Sequence, residues 1–143
     1  MSSLQEILNG WLDGTTAPPP VTKLVGISLL EGKDGVARLE LITGPQHYNP
    51  MGIVHGGILC DLADAAMGVA MASSLHEGET FGTIELHAHF LRSVQKSRLT
   101  ATGRIFQRGG RVGYAQCEIH DEHGDLVATA ASTCLIQSVD NKT

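Results

Sequence analysis

Gly57-Ile58-Leu59-Cys60-Asp61-Leu62-Ala63-Asp64-Ala65-Ala66-Met67-Gly68-Val69-Ala70-Met71-Ala72-Ser73-Ser74-Leu75 is the stretch on which the fold turns in this chain of 143 residues. Ile58, Leu59, Leu62, Ala65, Ala66, Val69 and Ala70 leave little of a helical circumference polar, so the run reads as one buried helix. Gly56 and Gly57 stand at its beginning and His76-Glu77-Gly78 at its end. Its many alanines let another element approach closely.

Strand signals flank this helix. Before it, residues 23–30 and 35–42 form two strands joined by Gly32-Lys33-Asp34-Gly35, residue types that suit an antiparallel hairpin. A loop of about a dozen residues, 43–54, follows; connections of that length often carry function. After the helix, residues 80–91, 97–107, 111–121 and 125–136 read as four strands in a meander, with Gly109-Gly110 as a two-residue turn and Glu122-His123-Gly124 as a longer one. The expected class is α+β. With one helix available to cover one face, an antiparallel sheet of about six strands must curl around it. At the start, Leu4, Ile7, Leu8, Trp11 and Leu12 share one face of a short helix opened by a Ser3-to-Glu6 capping box and stopped at Gly14, placed outside the main core. Residues 15–20, ending in three prolines, form an extended connector. The expected organisation is residues 1–20 as helix and connector, 21–138 as the domain, and 139–143 as a polar tail.

The composition narrows the function classes. Ten basic against fifteen acidic residues, a net charge of -5 and 42% hydrophobic residues describe a single globular domain able to bury its own core, not a fibrous or disordered chain. The acidic balance argues against nucleic-acid binding. No run reaches the roughly 18 uninterrupted apolar residues of a membrane span, and the first residues lack a basic signal region, so the expectation is a cytoplasmic protein without a membrane partner. Cys60, Cys117 and Cys134 are odd in number and far apart, as reduced core thiols are. The charges are unevenly spread: residues 86–116 hold Arg92, Lys96, Arg98, Arg104, Arg108 and Arg111 and no acid. Such a stretch suits an anionic small ligand, or equally a solvated strand face.

Two carboxylates interrupt the apolar helix. Asp61 lies in its early turns, where negative charge is favoured. Asp64 lies deeper among Leu62, Ala63, Ala65 and Ala66, where desolvation would raise its pKa, and a group so placed is a candidate for chemistry. Gly52-Ile53-Val54-His55-Gly56-Gly57 leads into the helix, leaving the amides near Gly56 and Gly57 unpaired within it and bare of side-chain cover, a site for a developing oxyanion. Gly56 and Asp64 are eight residues apart, about 12 Å at roughly 1.5 Å per residue. One carbonyl cannot touch both. If both act on one substrate they come from two copies of the helix, most simply antiparallel across a two-fold axis, and the working unit is a dimer with two sites.

Asn49-Pro50-Met51-Gly52-Ile53-Val54-His55-Gly56-Gly57, followed by Leu62-Ala63-Asp64-Ala65-Ala66, resembles the hotdog-fold thioesterases, closest to the phenylacetic-acid-pathway thioesterases and their 4-hydroxybenzoyl-CoA relatives. The likeness extends over residues 21–136, including Phe90-Leu91-Arg92 and Arg108-Gly109-Gly110-Arg111. It implies hydrolysis of an aryl- or medium-chain acyl-CoA thioester to acid and CoA without metal or cofactor, coenzyme A being part of the substrate. By position it makes Asp64 the general base or nucleophile, Gly56 the oxyanion donor, Asn49 the loop amide that orients water or thioester, and Thr83 a hydroxyl near the catalytic water. His55 and Gly57 fall beside the substrate, and with CoA as a partner for the acid-free stretch Arg92, Arg108, Gly109 and Arg111 become candidate phosphate contacts, although members of the family place such groups variably and a solvated strand face is the equal alternative. It also implies a homodimer or homotetramer, a dimer of dimers.

Other readings compete. Glu85, His87 and His89 share one strand face, and with His55 they suggest a metal site, but two same-side histidines fall short of a zinc ligand set, so no metal is expected. Cys60 reads as core rather than as a nucleophile. The same fold also serves hydratases, dehydratases and non-catalytic acyl-CoA sensors. A sensor needs no acid in the helix, and Asp64 favours the enzyme.

Overall fold

The computed structural model describes residues 3–139, so most of the expected tail, residues 140–143, lies outside the described residues. The chain runs through α1 (Leu4–Asp13), α2 (Pro20–Val25), β1 (Ile27–Lys33), β2 (Val36–Ile42), α3 (Gly56–Ser73), β3 (Glu79–Phe90), β4 (Arg98–Arg108), β5 (Val112–His120) and β6 (Leu126–Ser138). All six strands join one antiparallel sheet in the order β1-β2-β4-β5-β6-β3. The expected four-strand meander is corrected here. Only β4, β5 and β6 run that way, while β4 pairs with β2, and β3 lies beyond β6 at the far edge. The eighteen residues of α3 span about 27 Å and carry the chain across the sheet before β3 begins.

The sheet wraps α3, which touches all six strands. Leu59, Leu62, Ala63, Ala66, Met67 and Ala70 of α3 meet Leu39, Leu41, Leu99, Ala101, Ile119 and Val127 of the strands in one core. Each fully buried leucine there contributes about 1.5–3 kcal/mol relative to exposure. The alanines do what their size predicts: β4 comes so close that a Cβ on Gly103 would sit 2.6 Å from the Ala66 carbonyl oxygen. Backbone meets backbone there, and neither side can yield cheaply. Gly103→Val should therefore lower unfolding stability by about 3 kcal/mol, read as a lower urea midpoint at unchanged m-value. An unshifted midpoint would contradict this contact. α3 is also the one described helix long and apolar enough to cross a membrane, and half of it is buried within the protein.

The β1–β2 turn is the two-residue type expected from Asp-Gly, with Asp34 at φ 52° and Gly35 at φ 78°. The β4–β5 connection is longer than the two residues expected, occupying residues 109–111. α1 has its capping box and ends at Gly14 in the left-handed region. It does not stand apart from the core: Leu8 is buried in it and Trp11 packs against it. Residues 20–25 form α2 rather than connector and strand, because Pro20 at the first helical position forfeits no hydrogen bond there. Gly26, at φ 99°, ends that helix and starts the sheet at Ile27.

Candidate active site

Asp64 does not lie in the apolar interior that the sequence suggested. The strands cover the opposite side of α3, through Leu62, Ala63, Ala66 and Met67, and leave the Asp64 side chain exposed at the edge of a groove. The groove walls still strip water from it, and this desolvation raises its pKa, opposed by a hydrogen bond from Thr83. Thr83 Oγ1 donates to Asp64 Oδ1 at 3.4 Å, so the structure brings these two residues together. Asp61, one turn earlier, has its pKa raised by desolvation and then by the charge of Asp64. The position of Thr83 depends on a β-bulge. Thr83 pairs with Cys134 and Glu85 with Thr133, leaving Ile84 as an extra residue. Past the bulge, Leu86 and Ala88 pack against the core.

At the helix start, His55 is the N-cap: its Nδ1 accepts from Gly57 N–H at 2.8 Å, which puts the ring proton on Nε2. The backbone oxygen of His55 accepts from Ile58 and Leu59. The expectation that both glycine amides are bare of side-chain cover is thus corrected at Gly57, whose N–H the His55 side chain takes. Gly56 N–H alone has no partner among the described residues. Gly56 lines a cleft of about 340 Å³ together with Asn49, Leu59, Phe90, Arg92 and Ser93 among others. The Phe90 ring lies over Gly56 so closely that a Cβ there would sit 2.7 Å from it, and this contact requires glycine. Asn49 anchors the loop as an Asx turn, its Oδ1 accepting from Met51 N–H at 2.9 Å and Ile53 N–H at 3.4 Å, so that the other end of the amide remains for a ligand. His47, which the sequence did not single out, secures the same loop. Its Nδ1 accepts from Gly44 N–H at 3.1 Å, its Nε2 meets Val25 O at 2.8 Å, and its carbonyl accepts from His55 N–H.

Asn49 and Gly56 therefore share one cleft, and Asp64 and Thr83 share a different groove of the same chain. The acid-free stretch is acid-free only along the sequence. Folding brings Asp125 within 3.5 Å of Arg92, Glu40 within 2.6 Å of Arg98, and Glu79 against Arg108. Arg92 still lines the Gly56 cleft, whereas Arg108 is held by Glu79 and by the Gly109 carbonyl. Arg111 is exposed beside a separate cavity near Glu79, and Gly109 N–H is used by Val112 O at 2.8 Å. Lys96, Arg104 and Arg111 have no ion-pair partner among the described residues. His87 Nε2 lies 3.2 Å from Glu85 Oε1, both well exposed. Cys117 is buried, and desolvation pushes its thiol up to about 12. Cys60 is partly buried and its thiol is also raised, so neither is a ready nucleophile.

Known proteins resemble this chain in sequence and in fold. The medium/long-chain acyl-CoA thioesterase YigI of Salmonella typhimurium is 28% identical, the match covering 82% of this chain and 85% of that protein. The 1,4-dihydroxy-2-naphthoyl-CoA hydrolase of Listeria monocytogenes is 26% identical, over 79% of this chain and 92% of its own. Among solved structures, the Escherichia coli PaaI protein from the phenylacetic acid degradation operon superposes with a TM-score of 0.81 at 25% identity, covering 93% of this chain and 95% of that one. A phenylacetic acid degradation-related protein of Ralstonia eutropha gives a TM-score of 0.82 at 28% identity over 90% and 98%. The family model described as the thioesterase superfamily matches residues 51–128, which include α3 and most of the sheet. The chain belongs to the thioesterase superfamily, has the hotdog fold, and is a thioester hydrolase.

Proposed function

We propose that this protein hydrolyses acyl-CoA thioesters to free acid and CoA, at a site assembled from two subunits. Asp64 of one subunit, steadied by Thr83, takes the proton of water as it attacks the thioester carbon, or attacks that carbon itself. Gly56 N–H of the other subunit receives the negative charge that develops on the carbonyl oxygen. The C–S bond then breaks: in the general-base route the proton held by Asp64 passes to the CoA sulfur, which leaves as the thiol, and in the nucleophilic route CoA leaves as the thiolate. In the nucleophilic variant, water subsequently hydrolyses the mixed anhydride. The observation that carries this reading is the unpaired Gly56 amide at the head of a helix whose carboxylate, about 12 Å further on, opens into another groove. Neither half is a complete site alone.

Other features support it. The outer side of β3 is an unpaired sheet edge twelve residues long, with Ile84 and Phe90 exposed on it, and a second copy of the chain would satisfy it. The working assembly is a homodimer or a dimer of two such dimers. Asn49 orients water or thioester in the Gly56 cleft, His55 and Gly57, bonded to each other, fix the helix start beside it, and Arg92, which also lines the cleft, would meet a CoA phosphate there. Arg108, Gly109 and Arg111 would serve phosphates at a different part of the surface. The chemistry needs no metal or cofactor, and a multiply phosphorylated substrate fits a cytoplasmic enzyme. The named substrates of the relatives, medium/long-chain acyl-CoA and a naphthoyl-CoA, bracket the acyl group.

Mixing tests the shared site. Two inactive variants, one lacking the Asp64 carboxylate and the other the Gly56 amide, should regain about a quarter of wild-type thiol release after 1:1 subunit exchange, since half the dimers carry one intact site of two. No recovery, with exchange verified by mass, would place acid and amide in the same chain.

A further inference from the structure

Polar side chains continue inward from Asp64 toward the core. Thr83 Oγ1 meets Asp64 Oδ1 at 3.4 Å on one side and Cys134 Sγ at 3.9 Å on the other. The second contact follows from register. Thr83, the last residue before the bulge, pairs directly with Cys134 across β3 and β6, so the two side chains stand on the same face of the sheet. Cys134 is 1% exposed and belongs to a small buried cluster with Met71 and Ile136. The alternate buried positions of β6, Ala128, Ala130, Ser132, Cys134 and Ile136, are apolar but for Ser132 and this thiol. Ser132 Oγ has no hydrogen-bond partner among the described residues, and a buried hydroxyl left unpaired costs stability that alanine, used at the two preceding positions, would spare.

We propose that Cys134 is a positioning residue for the hydrolysis: its S–H donates to Thr83 Oγ1 and holds the Thr83 hydroxyl aimed at Asp64. This rests on Asp64 being the reacting carboxylate of the function proposed above, and deepens that reading. The direction of the hydrogen bonds follows from counting protons. An ionised carboxylate only accepts, and the Thr83 hydroxyl has one proton to give. With that proton on Asp64, the hydroxyl oxygen is left to accept from its other neighbour, and the Cys134 thiol has a proton to donate. Burial raises the pKa of that thiol above 9.0, opposed by the Thr83 and Ser132 hydroxyls and aided by the charge of Asp64, so the proton stays on sulfur. Without the thiol the Thr83 hydroxyl is free to rotate, and its bond to Asp64, which favours the ionised carboxylate, weakens. The other titratable groups beside Asp64 are Asp61 and Cys60, both on α3. Among the described residues α1 and α2 bring only uncharged side chains to its groove, as β3 does with Phe81 and Thr83.

Cys134→Ala and Cys134→Val both delete the donor, the first leaving the position underfilled and the second filling it, which separates hydrogen bonding from packing. In each, the pH at which the Asp64 carboxyl carbon titrates, followed by carbon NMR, should move upward. On the acid side of the pH profile kcat should fall about threefold, the weight of a weak hydrogen bond, with the alkaline plateau little changed. In a Thr83→Val background the same substitutions should move neither reading, because the hydroxyl that carries the effect is gone. A titration that stays in place in both variants, or one that shifts equally with and without Thr83, would overturn the assignment. Loss of turnover by the same factor at every pH would make Cys134 a packing residue only and would overturn it too. A carboxyl titration that moves as expected while the kcat profile stays in place would support the thiol-to-hydroxyl chain and overturn Asp64 as the reacting group instead. Should one variant fail to fold, the other decides.

Discussion

Asp64→Asn should lower kcat by two to four orders of magnitude, the usual weight of a positioned general base, with little change in KM. Asparagine keeps the shape and can still meet Thr83, but it neither accepts a proton nor attacks carbon. In the native enzyme the reaction requires the ionised carboxylate, so kcat should fall as pH drops through a pKa above 3.8, the direction in which desolvation moves Asp64. Stability runs the opposite way. A folded-state pKa raised above the unfolded one means the native protein holds the proton more tightly, so folding loses free energy as pH rises through that window. Above it the cost is fully present. Asp64→Asn should therefore raise Tm at neutral pH, and the gain should vanish below about pH 4. Stopped-assay thiol release and thermal melts across pH check both halves. Near-normal turnover would remove Asp64 from the chemistry, and a Tm gain independent of pH would remove its desolvation.

Deleting the Gly56 N–H should cost about 100- to 1,000-fold in kcat, the range for an oxyanion donor. Proline performs this deletion cleanly. Gly56 is the first residue of α3, where proline is tolerated, and His55 already has the extended conformation (φ -62°, ψ 135°) that a following proline demands. The obstacle is Phe90, whose ring occupies the space of a Cβ. The comparison is therefore Gly56→Pro/Phe90→Ala against Phe90→Ala, each checked for unchanged helicity. Equal kcat in the two would show that the oxyanion is stabilised elsewhere.

Much of this was legible in the sequence because it depends on local pattern. The apolar run of α3, the Asp-Gly turn and the glycines before the helix each act through backbone rules that need no tertiary partner. What escaped depended on contacts distant along the chain. The basic stretch looked unopposed because Glu40, Glu79 and Asp125 lie outside it, and only folding returns them to Arg98, Arg108 and Arg92. Asp64 looked buried because neighbours in sequence were taken for neighbours in space, whereas those neighbours face the strands and Asp64 faces a groove. Gly57 is the local exception: it looked free because the imidazole two residues before it was not read as a cap. β3 was placed next to β4 because strand order depends on where α3 delivers the chain, which a linear reading does not contain.

The extra residue at Ile84 works as a change of phase. Before it, the odd-numbered side chains Phe81 and Thr83 look toward α3; after it, the even-numbered Leu86 and Ala88 do, and Phe90 reaches Gly56. Were Ile84 taken into regular alternation instead of being set aside in the bulge, Glu85, His87 and His89 would turn inward in place of Leu86 and Ala88. The bulge, not any one side chain, decides whether the strand beside the acid presents a greasy wall or an ionisable one.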